Sequence, residues 1–139
     1  MTQTMSWKEC TEKDIITRTE PDLHRAQALK KMADTRLEFW NTKIDDRFTA
    51  LKIEAYYEII KELVLAHIYK KGYNCTNHLC LIAYLKKQFS GFDFEIQKIN
   101  ELRKVRNEIS YRGFQVKKDY LKRNKAEFEH IIRELKKQL

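Results

Sequence analysis

Apolar residues recur along most of the chain at the three- and four-residue spacing of an α-helix. A narrow apolar stripe with a charged opposite face runs from residue 19 to 44, and a much wider one runs from 46 to about 71. Three further stripes cover residues 76–89, 93–112 and 116–139. The pattern predicts five helices. We place the second at the centre of the fold, because so wide an apolar surface indicates contacts on more than one side.

The residues between the stripes are those that begin and end helices. Thr19 and Thr76 are placed to cap the first and third helices, and Asp45-Asp46 separates the first helix from the second. Gly72 and Gly113 occupy positions at which a glycine closes a helix. Five helices joined by such short links favour an all-α fold, an up-and-down antiparallel bundle of four to five helices.

The bundle is expected to form a single domain over residues 19–139. Residues 1–18 are polar and show no sustained period, so we interpret them as an N-terminal arm. The arm is either loose or docked on the bundle by Trp7 and Ile15-Ile16. The wide second stripe and the apolar end of the fourth helix leave surface that a second copy would cover, so we expect a two-fold homodimer.

The positive charge of the chain is concentrated near its end. The formal net charge is +8, and residues 98–139 hold 13 Lys and Arg against 6 Asp and Glu, a balance of +7. An excess confined to the last two predicted helices favours a polyanionic partner such as RNA, DNA or a nucleotide. The alternative is a solvated, lysine-rich surface that keeps a dimer in solution.

The three cysteines form no recognisable disulfide framework, and their odd number favours a reducing compartment. Cys75, His78 and Cys80 lie close together, but no fourth ligand follows at a usual spacing, so we expect no metal site. We expect no cofactor either. The chain has no apolar run of about 18 residues and a polar N-terminus, which predicts no membrane span and a cytoplasmic protein.

The most unusual stretch of the sequence closes the fourth predicted helix. Its apolar side chains fall on one face of the helix, and Arg106 falls inside that face at about 100° per residue. A guanidinium keeps its charge when it is buried, so Arg106 needs an acceptor or a wet cleft. Asn107 and Tyr111 form an i, i+4 pair, and Arg106 and Ser110 form another. Four polar side chains therefore crowd one helix end.

This stretch resembles the signature of HEPN domains, in which an arginine, usually followed by asparagine, precedes a histidine by about five to seven residues. The matching residues here are 106–111, Arg-Asn-Glu-Ile-Ser-Tyr, late in the fourth helix of a small bundle. A long second helix that ends at Gly72, followed by Thr76-Asn77-His78 at the start of a short helix, also looks like the family. As architecture, the similarity covers roughly residues 20–137.

The resemblance implies an antiparallel helical bundle whose motif helices meet across a cleft in a two-fold dimer. Active members of the family are metal-independent endoribonucleases, often toxins of toxin–antitoxin or defence systems. Other members are partners of small nucleotidyltransferases, and some only bind RNA or nucleotides.

Carried over residue by residue, Arg106 matches the motif arginine, which would steady charge on a phosphate, and Asn107 matches the polar residue after it. Tyr111 stands at the position of the histidine. A phenol titrates near pH 10 and is a poor general base, although it can donate a hydrogen bond to phosphate or stack on a base. We therefore interpret Arg106, Asn107 and Tyr111 as a degenerate catalytic motif in an RNA- or nucleotide-binding dimer.

The ligand-binding surface around this motif is expected to include the remaining polar and basic residues nearby, namely Arg103, Ser110, Arg112, Lys117 and Lys118. Two alternatives stay open. The first is an active ribonuclease that works without the motif histidine. The second is a non-enzymatic partner subunit of a small nucleotidyltransferase, in which Arg106 and Asn107 tie the protomers together. A purely structural role for Arg106 would be an ion pair across the dimer, for instance with Glu108 or Glu101 of the other chain.

Three histidines receive separate interpretations. His67 continues the apolar line of the second helix, so we expect a hydrogen-bonded core histidine. His78 falls in the first turn of the third helix, where we expect a structural histidine, with contact to a partner as the alternative. His130 lies far along the fifth helix, and the sequence does not bring it to the motif.

Overall fold

The computed structural model describes residues 4–113 and 115–139, and it is predominantly helical. Six α-helices lie in the described part of the chain: α1 (Trp7–Glu12), α2 (Leu23–Lys43), α3 (Thr49–Lys70), α4 (Leu81–Gln88), α5 (Asp93–Arg112) and α6 (Lys118–Lys137). Two short strands, β1 (Ile16–Arg18) and β2 (Tyr73–Cys75), and a single 3₁₀ turn (His78–Cys80) complete the fold. The five helical segments predicted from periodicity are confirmed as α2 to α6.

The core is built around α3, as the width of its apolar stripe predicts. The helices α2, α4, α5 and α6 all contact it. Only one edge of α3 keeps partial solvent access, and residues such as Ile53, Leu63 and Ile68 are completely buried. Helices of the same chain therefore account for the apolar width from which we expected a dimer.

The helix α2 packs less deeply than its stripe predicts. Of its residues only Ala26 and Ala33 are buried, so α2 lies on the outside of the bundle and approaches α3 through small side chains. Leu23, Met32 and Phe39 are each about half exposed.

The N-terminal segment is docked, which decides between the two alternatives left open for the arm; residues 1–3 lie outside the described residues. The strand β1 pairs antiparallel with β2, with Ile16 opposite Cys75. Trp7 packs edge-on against Tyr73, with ring centroids 5.7 Å apart. The prediction of an all-α fold was wrong in this respect, because three-residue strands more than 50 residues apart leave no periodic signal.

A disulfide between Cys10 and Cys80 fastens the N-terminal segment to the bundle, and both residues are fully buried. From the sequence we expected no disulfide framework and a reducing compartment. The pairing of Cys10 with Cys80 was not foreseen, because the two residues are 70 positions apart in sequence. Disulfides persist chiefly in oxidising compartments, so the cysteine usage no longer favours a reducing one. Cys75 remains a free thiol.

Side-chain caps occur at some of the expected helix starts, with small shifts of position, whereas α3 begins after Phe48 without a side-chain cap. Asp22 rather than Thr19 caps α2, because its side chain accepts a hydrogen bond from the Arg25 N–H. Asn77 rather than Thr76 caps the 3₁₀ turn. Gly113 ends α5 in the left-handed region at φ 63°, as predicted, and a side chain there would be strained. Within residues 4–113 and 115–139, none of the helices combines the length and apolar character that a membrane span needs.

Candidate nucleic-acid interface

The C-terminal half of α5 lies antiparallel against the first half of α3, and polar side chains of the two helices meet along a seam that we call the α3–α5 groove. Ile99 and Leu102 are buried beneath α5, while Val105 and Ile109 are half-buried, which confirms the predicted apolar face. Two cross-helix contacts join the groove walls, because i, i+4 pairs on the two helices meet each other: Glu58 with Arg106, and Glu54 with Ser110.

Arg106 occupies this groove with its side chain about one quarter exposed. Its Nη2 lies 3.3 Å from the Glu58 Oε1, and its guanidinium carbon lies 5.6 Å from the centre of the Tyr57 ring. Arg106 therefore has an ionic partner within its own chain.

The ionic network around Glu58 holds more positive than negative charge. Glu58 Oε2 also accepts the Lys61 Nζ at 2.7 Å, so two cations share one carboxylate. Within the described residues the buried Nε of Arg106 has no hydrogen-bond partner. Beyond this network, Glu54 on the same edge of α3 offsets the second positive charge, so an anion that enters the groove would meet the exposed quarter of the Arg106 side chain rather than an excess of charge.

The end of the groove is open and holds the most exposed of the predicted site residues. The Ser110 Oγ donates to the Glu54 Oε2 at 3.0 Å. Tyr111 is 75% exposed, so the face of its ring is open to solvent. Arg112 is also exposed and lies 3.7 Å from Glu108, while Asn107 is half-buried. The structure brings these four residues to one end of α5.

Arg103 is not on the basic rim where we expected it. It is only 4% exposed, and its Nε and Nη2 both donate to the Asn100 Oδ1, at 3.1 and 2.9 Å. The reason is that α5 packs against both α3 and α4, so the flank that carries Arg103 faces protein. Lys117 and Lys118 are exposed at the start of α6, and Lys118 lines a separate cleft described below.

His78 is the residue near this groove that the sequence did not assign to it. It lies on the 3₁₀ turn and lines a narrow crevice together with Lys61, Tyr57 and Arg103. Partial burial lowers the pKa of His78, and the charge of Lys61 lowers it further, with a smaller contribution from Arg106 and an opposing one from Glu58. The imidazole is therefore neutral at pH 7. No sequence signal indicates this proximity, because only the packing of α3, α5 and the turn creates it.

His67 and His130 lie away from this groove. His67 is buried, its Nδ1 is 2.7 Å from the Tyr84 hydroxyl, and burial lowers its pKa to about 4, so the prediction of a hydrogen-bonded core histidine is confirmed. His130 lies on α6 with its Nε2 3.5 Å from the Glu95 carboxylate.

The fold and the groove together define a small helical-bundle domain with a mixed-charge groove bordered by an exposed tyrosine. No protein-family model matches the chain, and neither a curated protein nor a solved structure does so.

Proposed function

We propose that the chain binds RNA or a nucleotide at the open end of the α3–α5 groove, as a HEPN-like module. The observation that carries the proposal is the state of Arg106. Glu58 and Tyr57 hold it in place, it shares its carboxylate with Lys61, and its side chain stays about one quarter exposed. An arginine so placed is preorganised for phosphate, because its guanidinium is oriented and still reaches solvent.

The neighbouring residues support a ligand that carries both a phosphate and a base. The exposed ring of Tyr111 offers a face on which a base can stack, and the Asn107 amide offers a donor and an acceptor. Arg112 adds a cationic side chain at the same end of α5. Single-stranded nucleic acid suits this combination of an aromatic platform and a basic border.

The test is binding of a fluorescently labelled single-stranded RNA, measured across a range of salt concentrations. We expect an affinity that falls with salt by about 0.7 log units per log unit for each phosphate contacted. The variant Arg106→Gln should bind at least tenfold more weakly and lose about one such contact. The control is Arg133→Gln, which removes the same charge from an exposed position on α6. An equal loss in both variants would reduce the proposal to nonspecific attraction.

We further propose that the active form is a two-fold dimer in which two α3–α5 grooves face one another. The exposed Leu51 supports this, because it lies one turn before Glu54 on the same edge of α3 and thus beside the end of α5 that carries Tyr111. Mass measurement by light scattering tests it. If Arg106→Gln yields monomers while it leaves RNA affinity unchanged, the interpretation as a partner subunit of a nucleotidyltransferase is preferred.

The position of His78 favours metal-independent RNA cleavage as a second candidate function. In that reaction the RNA 2′-oxygen forms a bond to phosphorus and the bond from phosphorus to the 5′-oxygen breaks. The neutral imidazole of His78 would accept the 2′ proton, Arg106 would hold the charge on the phosphate, and the departing 5′-oxygen would take a proton from water.

Cleavage and binding are expected to depend on different residues, so variants can distinguish the two activities. We expect activity that survives a metal chelator, and we expect His78→Ala to abolish cleavage while it leaves RNA affinity within about twofold. The control is His24→Ala, because His24 is an exposed histidine on α2. Cleavage that His78→Ala leaves intact would exclude this mechanism.

A further inference from the structure

A second cleft, away from the α3–α5 groove, lies between the turn that joins α2 to α3 and the first turns of α6. Its volume is about 700 Å³, within the usual range for sites that hold small molecules. The lining residues are predominantly charged, with one buried leucine at the floor: Asp45, Asp46, Arg47, Lys118, Asp119, Leu121, Lys122 and Lys125. Neither the RNA proposal nor the predicted motif uses this cleft.

Two of the three carboxylates that line the cleft form ion pairs with cationic side chains. Asp46 lies 2.9 Å from the Nζ of Lys52 and 3.0 Å from that of Lys125, and Lys52 is only 2% exposed. The ammonium of Lys52 beside Asp46, and then that of Lys125, hold the pKa of this carboxyl below its usual range. Two cations therefore share one carboxylate, and the cluster carries a net positive charge.

The second carboxylate is likewise neutralised, because Asp119 lies 3.0 Å from the Nε of Arg123. Asp45 is the only lining carboxylate in the described part of the chain without an ion pair, and its Oδ1 accepts the backbone N–H of Arg47 at 2.8 Å.

Most of the cationic side chains that line the cleft, unlike its carboxylates, have no ion-pair partner in the described residues. Among the residues that the structure describes, Arg47, Lys118 and Lys122 form no ion pair within 4.0 Å. Lys118 and Lys122 are an i, i+4 pair, so they stand on the same side of α6. Arg47 faces them from the α2–α3 turn and keeps its guanidinium 5.0 Å from the centre of the Phe48 ring. Three cationic side chains without an ion-pair partner in the described residues, one on the α2–α3 turn and two on α6, therefore line the same cleft.

The arrangement of these three cations favours a phosphate group over a carboxylate as the bound ligand. A phosphate group carries up to two negative charges on three oxygens, and it can accept from several ammonium and guanidinium donors at once. A carboxylate would use fewer of them. The cleft is also larger than an inorganic ion needs, which fits a phosphate attached to a larger group.

We propose that the cleft between the α2–α3 turn and α6 is a phosphate-binding site for a nucleotide-sized ligand, held by Arg47, Lys118 and Lys122. The cluster of Asp46 with Lys52 and Lys125 forms its wall. The site is independent of the α3–α5 groove, so failure of RNA binding through Arg106 leaves it standing.

The test is a titration of the full chain with inorganic pyrophosphate, followed by the amide chemical shifts of the lining residues. We expect saturable shifts at residues 45–47 and 118–125. The double variant Arg47→Gln/Lys122→Gln should weaken binding at least tenfold. Because both side chains are exposed, the variant is expected to keep the fold, which its amide spectrum will show.

The matched control is Arg133→Gln/Lys137→Gln, which removes one arginine and one lysine from exposed positions near the other end of α6. It should bind pyrophosphate like the unaltered chain. Competition by adenosine diphosphate for the same residues would assign the site to nucleotides. Shifts that do not saturate, or equal weakening in both double variants, would overturn the proposal.

Discussion

The disulfide between Cys10 and Cys80 makes a quantitative prediction about stability. The bond closes a loop of 70 residues, so in the chain-entropy model it removes about 4 kcal/mol of conformational entropy from the unfolded state. We expect the free energy of unfolding to fall by that amount at most when the bond is reduced. Native disulfides in small domains typically give about 2–4 kcal/mol, which sets the lower end of the expected change.

The assay is guanidinium unfolding with and without a thiol-free reductant, followed by tryptophan fluorescence. Trp7 is a local reporter, because its ring packs against Tyr73 and the side chain of Tyr84. The variant Cys75→Ala should keep the full difference between oxidised and reduced protein, since Cys75 is not in the bond. The double variant Cys10→Ala/Cys80→Ala should show no such difference.

Two results would refute this reasoning. One is an intact mass that shows three free thiols in protein purified without reductant. The other is a change in the free energy of unfolding of less than about 0.5 kcal/mol on reduction, because an ordinary surface substitution can produce a change of that size. The outcome also bears on the groove, since Cys80 ends the 3₁₀ turn that carries His78.

Three further predictions concern charged and titrating groups. Glu58→Gln should raise RNA affinity several-fold in the binding assay, because it removes the carboxylate that competes with phosphate for Arg106. Stability should fall as the pH drops from 6.5 towards 4, because the unfolded chain protonates His67 before the folded chain does; the loss, at most about 3 kcal/mol, should vanish in pH-dependent denaturation of His67→Gln. In thermal unfolding, Asp46→Asn should cost about 3 kcal/mol, since it leaves the charge of Lys52 buried, whereas Lys52→Met should cost about 1 kcal/mol.

The positions of the helices were predictable because each contains enough turns for the apolar period to be read. Glycine ends such as Gly113 were equally clear, since a left-handed closing residue leaves a local signature. The caps were displaced by one to three residues, because Asp22 and Asn77 compete with nearby threonines for the same role.

Features that depend on distant contacts were not predictable from the pattern. The pairing of β1 with β2 and the bond from Cys10 to Cys80 join residues far apart in sequence, and neither leaves a periodic signal. The same limit applies to the site. Helical spacing placed Arg106 beside Ser110 correctly, but it could not show that Glu58 faces Arg106, or that α4 covers the flank carrying Arg103.

Photochemical crosslinking of single-stranded RNA that carries 4-thiouridine, with the attachment site mapped by mass spectrometry, tests the proposed nucleic-acid interface most directly. The account predicts crosslinks on the peptide that contains Asn107, Tyr111 and Arg112, and their loss in Arg106→Gln but not in Arg133→Gln. Crosslinks that fall only on other surfaces, or that persist unchanged in Arg106→Gln, would contradict it.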